Sequence, residues 1–523
     1  MEAFNMTSHL PAQALSHRLV NILSGLLAEN SLPDDCANTV ITGIATDSRK
    51  VIPGNLFIAL NGLTVDGRIY INDAIERGAI AVLAEADDSF SIRNKGSVAI
   101  IYLQKLTEHL SQIAGRFYGD PTEDLNVIGV TGTNGKTSCS HLIASLATTI
   151  GQKSGLIGTL GYGIYQKGDL ELQQTGFTTP DAVQLQACMQ KLQEDSCNVI
   201  AMEVSSHALA QHRVDAIHFN VAVFTNLSHD HLDFHKNMAS YAAAKRRLFS
   251  FDGIDAAVIN ADDEFGERLA KELRAHSKVF TYSVNSTQAD VFTQNTCYSL
   301  NSISSDVVSP WGHATITIPL IGEFNLSNAL AALTAMLATG EDFNTLIAAF
   351  SEVTAVKGRM EIVSDSSSQS ADDKTVVVDY AHTPQALELA LAALRSHTKG
   401  QLWCVFGCGG DRDNDKRAAM GRIAKSLADS VVITSDNPRS EPPAQIIDDI
   451  LLGIDDMHDV NVEPDRAAAI AFAIEQAVAG DLILVAGKGH EQFQIIGASK
   501  LPFSDADQVR HCLSHELHED CQS

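Results

Sequence analysis

Short apolar runs alternate with longer amphipathic stretches along most of the chain. Apolar runs of about five residues, rich in β-branched side chains, predict the strands of a parallel sheet, and the stretches between them predict the helices that cover it. The pattern therefore predicts an α/β fold built from βαβ units. The predicted strands comprise residues 126–130, 199–203, 221–225, 256–259, 376–379, 402–406, 430–434 and 482–486.

Two changes in composition predict domain boundaries. Residues 1–108 contain no phosphate-binding loop, and they lead through a helical stretch to Gly119-Asp120-Pro121, which is typical of a linker. Residues 364–374 are polar and low in complexity, which predicts an exposed loop near the start of a third domain. We therefore predict three domains, at residues 1–108, 109–356 and 357–523.

A glycine-rich loop follows the predicted strand 126–130 and leads into a helix that begins near Lys136 and Thr137. Glycines let backbone amides approach a polyphosphate, and the N-terminus of the helix adds positive potential. Lys136 would reach the terminal phosphates, and the Thr137 hydroxyl would hold Mg²⁺. The general phosphate-loop pattern requires glycine where Val130 stands. We still predict a nucleotide site, because a strand and a helix flank the loop.

Two further segments carry candidate metal ligands. Glu203 ends the predicted strand 199–203, and a carboxylate one strand from a phosphate loop can bind the Mg²⁺ that neutralises the phosphates. Residues 226–235 contain three His and two Asp and nearly match a dinuclear zinc hydrolase pattern, but Phe234 occupies the last ligand position. A second-Mg²⁺ role for His231 fits the rest of the chain better.

Lys245 lies on a predicted helix whose Tyr241, Leu248 and Phe249 can face the core. A single lysine on such a helix is usually a surface residue. The residue pattern alone therefore gives Lys245 no role.

Composition narrows the choice of partners and location. The chain of 523 residues has 37 Lys and Arg against 64 Asp and Glu, and the resulting charge of −27 argues against nucleic acid or an anionic membrane as the main partner. Apolar residues make up 45% and charged residues 19%, as in globular proteins. Nine cysteines without paired zinc spacing predict buried or free thiols. With no secretion signal and no apolar run of membrane-spanning length, we expect a cytoplasmic protein that is not inserted in a membrane.

The motifs GVTGTNGKTS, EVSSHAL, NLSHDHLDFH and YAAAKRRLF, in this order, resemble those of the Mur ligase family of cell-wall peptide synthetases. The resemblance extends over nearly the whole chain, through residues 177–180, 322–328, 357–361, 378–384 and 487–491. It implies a UDP-binding N-terminal domain, a central ATPase domain and a C-terminal Rossmann-like domain that brings the incoming amino acid.

The resemblance also implies a reaction. ATP would phosphorylate the γ-carboxylate of D-glutamate in a UDP-muramoyl dipeptide, and the amine of an amino acid would attack the acyl phosphate to form an amide for peptidoglycan synthesis. Mg²⁺ would be the cofactor and ATP a co-substrate. The partners would be these small molecules, and we expect a monomer.

Roles for individual residues follow from matching motif positions. ATP-binding positions are Gly132, Thr133, Asn134, Gly135, Lys136, Thr137, Ser138, Asn325, Asn328, Arg359, Asp379 and His382. Positions for the UDP-muramoyl dipeptide are Ser48, Thr178, Thr179, Ser205, Gln211 and Arg213. The catalytic positions are Lys136, Lys245 and His231, and the Mg²⁺ positions are Thr137, Glu203, His231 and Lys245, the last as a carbamate. Arg68 and His229 depart from the residues usual in the family.

The loops after strands 402–406 and 430–434 contain residues that indicate which amino acid is added. Arg439 presents a planar fork for a carboxylate, and Glu491 can take an ammonium, so the pocket suits a zwitterionic end. Meso-diaminopimelate has such an end, whereas lysine ends in an ammonium that Arg439 would repel. The residues assigned to this pocket by resemblance to the diaminopimelate-adding branch are Arg412, Asp436, Asn437, Pro438, Arg439, Gly487 and Glu491.

Several alternatives remain open at this stage. A phosphate-loop ATPase acting as a switch would need no amino-acid pocket, and a metallohydrolase would use the His cluster. Within the ligases, a lysine-adding enzyme and a folylpolyglutamate synthetase are the nearest rivals.

Overall fold

The computed structural model describes residues 16–28, 31–62, 65–166, 172–299, 302–363, 374–412 and 414–520. The chain forms two compact units. The first comprises Met1–Lys136, Gly151–Ile259 and Asp263–Val279, and the second comprises Thr137–Ile150, Asn260–Asp262 and Phe280–Ser523. This division does not test the three predicted domain boundaries, which stay a prediction.

The amino-terminal part of the first unit is built on a small, mostly parallel sheet. Its elements are β1 (His17–Arg18), α1 (Leu19–Ile22), α2 (Asp34–Ala37), β2 (Val40–Ile41), β3 (Gly43–Ala45), β4 (Asn55–Ala59), α3 (Ile71–Glu76), β5 (Ala81–Glu85), β6 (Ser91–Lys95), β7 (Val98–Leu103) and α4 (Leu106–Tyr118). The sheet order is β3-β4-β5-β7-β6, with β6 antiparallel at one edge. Alternate residues of β4 face opposite sides, so Leu56 and Ile58 pack in the cluster with α1 and α4, and Phe57 packs in the cluster with α3.

The phosphate-loop sheet follows in the first unit, although Thr137–Ile150, which include the helix after its first strand, and Asn260 are assigned to the second unit. Its elements are β8 (Asn126–Thr131), α5 (Lys136–Thr149), β9 (Ser154–Gly158), β10 (Gly161–Ile164), α6 (Ala182–Glu194), β11 (Val199–Glu203), α7 (Ser206–Ala210), β12 (Val221–Phe224), α8 (Leu232–His235), α9 (Met238–Arg246), β13 (Ala256–Asn260) and α10 (Glu264–Leu273). The strands run in the order β10-β9-β11-β8-β12-β13, and β8 pairs in parallel with β11 and β12. After β8 the chain continues to β9 and β11 on one side of β8, and it then crosses to β12 on the other side. Ligands of open α/β sheets bind at such a switch point, beyond the carboxyl ends of the strands.

The second unit begins with an antiparallel meander and two helices. Its elements are β14 (Val279–Ser283), β15 (Val291–Ser299), β16 (Ser302–Ser309), β17 (Gly312–Ile318), α11 (Glu323–Ala338) and α12 (Phe343–Ala349). β15, β16 and β17 pair successively in antiparallel fashion. The apolar pattern did not predict this meander, because serine, threonine and asparagine fill many of its positions.

A six-stranded sheet completes the second unit. Its elements are β18 (Glu361–Val363), β19 (Thr375–Asp379), α13 (Pro384–Arg395), β20 (Leu402–Phe406), α14 (Asp415–Leu427), β21 (Ser430–Ile433), α15 (Pro443–Leu451), β22 (Val460–Val462), α16 (Arg466–Gln476), β23 (Leu482–Ala486), β24 (Phe493–Ile496), β25 (Ser499–Pro502) and α17 (Asp505–Asp520). The order is β18-β19-β23-β20-β21-β22, so β23 separates two strands that are consecutive in sequence. β18 is an antiparallel edge strand, and the other five strands are parallel.

All eight predicted strands are present, with ends that agree to within one residue. The cysteine prediction is confirmed for the described part of the chain, where eight cysteines are free and six of these are buried. No described helix is both long enough and apolar enough to span a membrane.

Candidate active site

The loop between β8 and α5 is held by hydrogen bonds to the segment that follows β12. The Asn134 backbone amide donates to Asn226 Oδ1 at 2.9 Å, and the Thr225 hydroxyl donates to the Asn134 carbonyl at 2.6 Å. The Lys136 ammonium donates to the carbonyl oxygens of Gly132 and Thr133 at 2.8 and 2.9 Å. The loop is therefore ordered around the Lys136 ammonium.

Gly132 is required by the close approach of the two segments. A Cβ atom at this position would lie 1.8 Å from Thr225 Oγ1, far inside van der Waals contact. The structure thus explains why a side chain is excluded at the first loop glycine.

Lys245 is buried, with 1% of its surface exposed. The expectation that it lies on the surface is wrong, because α9 turns this position toward the phosphate loop. Its Nζ atom lies 2.6 Å from the Gly132 carbonyl oxygen and 4.5 Å from the centre of the Tyr241 ring. Burial, with a further contribution from the charge of Lys136, holds the pKa of Lys245 well below its ordinary value. The neutral amine therefore forms more readily here than on an exposed lysine.

Glu203 is also buried, at the end of β11. Its carboxylate oxygens accept hydrogen bonds from the backbone amide and the hydroxyl of Thr159, at 2.8 and 3.2 Å. The Thr159 hydroxyl lies 3.1 Å from the Thr178 hydroxyl. A Cβ atom on Gly158 would lie 2.3 Å from Glu203 Oε1, so this glycine leaves room for the carboxylate.

The dipeptide-binding candidates other than Ser48 cluster around Glu203. The Thr179 hydroxyl donates to the Glu203 backbone carbonyl at 2.9 Å and accepts from the Ser205 amide at 3.0 Å. Arg213 donates to the Thr179 carbonyl at 2.9 Å and to the side chain of Gln211. Thr178 joins them through Thr159. By contrast, Ser48 is the buried residue of the short turn Ser48–Lys50, which follows β3 in the amino-terminal sheet.

His231 lies at the start of α8 with a left-handed backbone, at a φ of 52°. Its ring is half exposed and packs edge-on against the His207 ring at a centroid distance of 4.9 Å. His235 is buried and lies 3.0 Å from the Ser206 hydroxyl, so it is engaged with α7. Throughout the described residues, no group of three His, Cys, Asp or Glu side chains is arranged as a metal site.

Residues assigned to ATP also meet in the second unit. A narrow cleft there is lined by Ser138, His141, Leu320, Asn325, Val356 and Arg359. Asn325 donates to the Ile321 carbonyl at 2.8 Å, and Asn328 is buried on the same helix. The cleft brings together three predicted ATP-binding residues from different segments, Ser138, Asn325 and Arg359.

Asp379, at the end of β19, is partly buried. Its two oxygens accept hydrogen bonds from the backbone amides of Met360 and Ala381, both at 2.8 Å. Burial raises the pKa of Asp379, against the opposing charge of Arg359. The Arg359 guanidinium lies over the Tyr380 ring at 4.5 Å, and His382 Nδ1 lies 2.8 Å from the Tyr380 carbonyl oxygen.

The residues assigned to the amino acid lie beyond β20, β21 and β23. Asn437 donates to Glu491 Oε2 at 2.8 Å, and Arg439 donates to the Gly410 carbonyl at 2.8 Å. Gly487 approaches Asp436 so closely that a Cβ atom would lie 2.6 Å from its carboxylate. Pro438 is buried in the same loop, and Arg412 is exposed.

Sequence reasoning missed Lys488, which is fully buried among these residues. It contacts both Asn437 and Glu491. The only signal was its place in the segment Gly487-Lys488-Gly489, next to a residue already assigned to the pocket.

A further cavity lies elsewhere in the first unit. Its volume is about 210 Å³, and Tyr162, Gln173, Lys191 and Asp195 line part of it. None of the predicted site residues lines it.

Comparison with protein families gives matches along most of the chain. Residues 40–118 match the Mur ligase family catalytic domain, residues 130–336 match the Mur ligase middle domain, and residues 358–489 match the Mur ligase glutamate ligase domain.

Individual proteins and solved structures that are similar to this chain belong to the same family. A UDP-N-acetylmuramoyl-L-alanyl-D-glutamate--2,6-diaminopimelate ligase of Coxiella burnetii is 44% identical over 482 residues, covering 91% of this chain and 96% of that protein. A solved structure of a ligase with the same name is 35% identical, with a TM-score of 0.72 and coverage of 96% of this chain and all of the other. The MurF ligase of Thermotoga maritima in complex with ADP shares the fold, with a TM-score of 0.60, 17% identity and coverage of 91% and 98%.

Proposed function

The chain belongs to the Mur ligase family of ATP-dependent amide ligases, and from this we propose that it adds meso-diaminopimelate to the D-glutamate γ-carboxylate of UDP-N-acetylmuramoyl-L-alanyl-D-glutamate. Its similarity to ligases named for this reaction, over more than nine-tenths of the chain, supports the proposal. The main structural support for the proposal is the cluster of Asn437, Arg439 and Glu491. An ATPase that acts as a switch would need no such amino-acid pocket.

The proposed reaction has two chemical steps. The carboxylate attacks the γ-phosphorus of ATP, which breaks the bond to the bridging oxygen and gives an acyl phosphate and ADP. The amine then attacks the acyl carbon, and the tetrahedral intermediate expels phosphate and loses a proton to give the amide. Activation is needed because a carboxylate is a poor electrophile at neutral pH.

We assign Lys136 to the first step. Its ammonium now donates to two neutral carbonyl oxygens. Phosphate oxygens form stronger, charge-assisted hydrogen bonds, so Lys136 exchanges weaker partners for stronger ones when ATP binds. The backbone amides of the loop, from Gly132 to Ser138, complete the proposed phosphate cradle.

The donor set fits Mg²⁺. Glu203 supplies a hard carboxylate oxygen, and at buried Lys245 the neutral amine, which reacts with carbon dioxide to give a carbamate, forms more readily than on an exposed lysine. We assign Glu203, His231, Thr137 and carbamylated Lys245 as the residues that would hold Mg²⁺. When bound, Mg²⁺ would neutralise charge on the phosphates. Thr178, Thr179, Ser205, Gln211 and Arg213 would orient the dipeptide beside Glu203, and Ser48 would contact the uridine end.

The amino-acid pocket combines opposite charges. Glu491 would bind an ammonium and Arg439 a carboxylate, so the two ends of a zwitterion are matched. Asp436, Pro438 and Gly487 shape the loop, and exposed Arg412 adds positive charge. This arrangement favours diaminopimelate over lysine.

We also propose the wider setting of the enzyme. The domains are residues 1–108 for the UDP-sugar, 109–356 for ATP and 357–523 for the amino acid. We propose that the enzyme acts on small molecules in the cytoplasm, as a monomer.

The test is an assay of phosphate release and product mass with Mg²⁺-ATP and the UDP-muramoyl dipeptide, comparing meso-diaminopimelate with L-lysine. Turnover only with diaminopimelate is the expected result. Preference for lysine would overturn the pocket assignment and keep the ligase reaction. Hydrolysis of ATP with no amide product from either amino acid would overturn the proposed function.

A further inference from the structure

A buried lysine joins the two residues proposed to receive the amino acid. Lys488 follows β23 and has no exposed surface. Its ammonium donates to Asn437 Oδ1 at 3.1 Å and to Glu491 Oε2 at 2.8 Å. Asn437 Nδ2 donates to the same Glu491 oxygen at 2.8 Å. The three side chains therefore form a closed triangle.

The triangle fixes the orientation of both acceptors. Asn437 Oδ1 also accepts from the Ile495 backbone amide at 2.9 Å, so the oxygen side of the amide has two donors and its nitrogen side must face Glu491. Glu491 uses Oε2 for both of its contacts within the triangle. Its other oxygen, Oε1, accepts no hydrogen bond from any described residue, and the side chain is 22% exposed. Oε2 of Glu491 is thus held by Lys488 and Asn437, and Oε1 is left for a ligand.

Several charged or titratable groups influence Glu491. Lys488 and His490 lie in its own loop, Tyr380 follows β19, and Arg466 begins α16. Asp436, in the loop after β21, acts on the same Tyr380 and Arg466. Burial acts to raise the pKa of Glu491, but the hydrogen bond and charge of Lys488, together with the hydrogen bond of Asn437 and the charge of His490, outweigh burial and hold the pKa below its ordinary value. Glu491 therefore stays ionised to lower pH than an isolated buried carboxyl would.

We propose that Lys488 is a positioning residue for amino-acid recognition: its ammonium holds Asn437 and Glu491 so that Glu491 Oε1 receives the ammonium of the incoming zwitterion. This inference rests on the proposed function. Lys488 itself does not contact the ligand. Its hydrogen bonds to Asn437 and Glu491 orient the carboxylate before the amino acid arrives.

The main test compares Lys488→Met with wild-type enzyme. Methionine keeps the length and apolar character of the side chain and removes the charge. We expect the KM for diaminopimelate to rise about tenfold or more, with the KM for ATP essentially unchanged. The acid limb of kcat/KM for diaminopimelate should move to higher pH, because the pKa of Glu491 rises when Lys488 is removed and binding needs the ionised carboxylate. Lys399→Met, at an exposed lysine of the same sheet domain, is the matched control and should change neither quantity.

Other results would overturn the inference. One such result is a Lys488→Met variant whose KM for diaminopimelate and acid limb are both unchanged. Another is an equal rise in KM for ATP and for diaminopimelate with an unmoved acid limb, which would indicate a general structural role. If wild-type enzyme itself does not use diaminopimelate, the proposed function fails instead.

A second variant covers the case in which Lys488→Met does not fold. Lys488→Met/Glu491→Gln leaves no unpaired buried carboxylate. Because Lys488 acts through the recognition residues, the KM of this double variant for diaminopimelate should lie within about threefold of that of Glu491→Gln alone. A larger additional loss would show that Lys488 acts on the ligand directly and would overturn the positioning role.

Discussion

The Nζ atom of Lys245 lies 2.6 Å from the carbonyl oxygen of Gly132. The same oxygen accepts a hydrogen bond from Lys136, so two lysines meet at one backbone carbonyl of the phosphate loop. Two ammonium groups at one oxygen repel each other, and the buried one loses its charge more readily. Conversion of Lys245 to a carbamate would replace this repulsion with attraction to Lys136.

Replacement of Lys245 by alanine should reduce ligase activity about 100-fold or more, because it removes the proposed carbamate ligand of Mg²⁺. Added short carboxylates should restore part of the activity by entering the vacated space. The measurement is phosphate release with and without acetate or formate. Arg246→Ala is the control, since Arg246 forms an exposed ion pair with Glu272 and should be dispensable. Full activity of Lys245→Ala would remove this residue from the mechanism.

Gly158→Ala should alter the response to Mg²⁺ without unfolding the protein. The added methyl would approach Glu203 Oε1 to 2.3 Å, so the carboxylate must move away from its Thr159 partners. Displacing a proposed metal ligand should raise the Mg²⁺ concentration for half-maximal activity about 10–100-fold. Titration of activity with Mg²⁺ at saturating substrates measures the shift, and an unchanged curve would argue against Glu203 as a ligand.

Arg439→Ala should weaken diaminopimelate binding about 10–100-fold, the range expected when a charge-assisted hydrogen bond is lost. ATP binding should change little. Arg439→Lys should recover only part of the affinity, because lysine keeps the charge and loses the planar fork. Calorimetric titration with each ligand separates the effects, with Arg422→Ala as the exposed control. Comparable losses for ATP and diaminopimelate would contradict the assigned role.

Asp505→Ala should destabilise the carboxyl-terminal sheet by about 3–5 kcal/mol, because it leaves the buried Arg466 guanidinium without its carboxylate. Both side chains are fully buried, and the two hydrogen bonds between them are 2.7 Å long. Arg466 also donates to the carbonyls of Ser435 and Ala486, which precede the loops of the amino-acid pocket.

Urea unfolding followed by Trp403 fluorescence measures this loss. The chain has two tryptophans, so a Trp311→Phe background isolates the buried probe in β20. The double variant Arg466→Met/Asp505→Leu removes both charges and should recover much of the stability. An Asp505→Ala variant as stable as its parent would show that the ion pair contributes nothing.

The strands around the active site could be predicted because each is a short apolar run buried on both faces. β8, β11, β20 and β23 have this character, and functional residues follow them in sequence. The meander of β15, β16 and β17 escaped prediction, since one face of each strand carries polar residues and the apolar run is broken. Strand β4 was likewise not recognised, although Leu56 to Ala59 are apolar.

The site was predictable where a motif implied a chemical role, as with Lys136 and Glu203. The burial of Lys245 and Lys488 was not predictable from the local pattern, because long cationic side chains are usually exposed. Both lysines are buried because distant segments supply their partners. Gly132 lies more than a hundred positions from Lys245, and Asn437 lies 51 positions from Lys488. Only the folded chain brings these groups together.

The position of β23 also sets a limit on when the carboxyl-terminal sheet can form during synthesis. β19 and β20 leave the ribosome early, but they pair with β23 and not with each other. Until residues 482–486 have been made, both strands present unpaired edges to the surrounding solution. Such edges favour non-native association. This part of the chain must therefore wait for its last central strand, and it is most exposed to aggregation while the ribosome is still completing it.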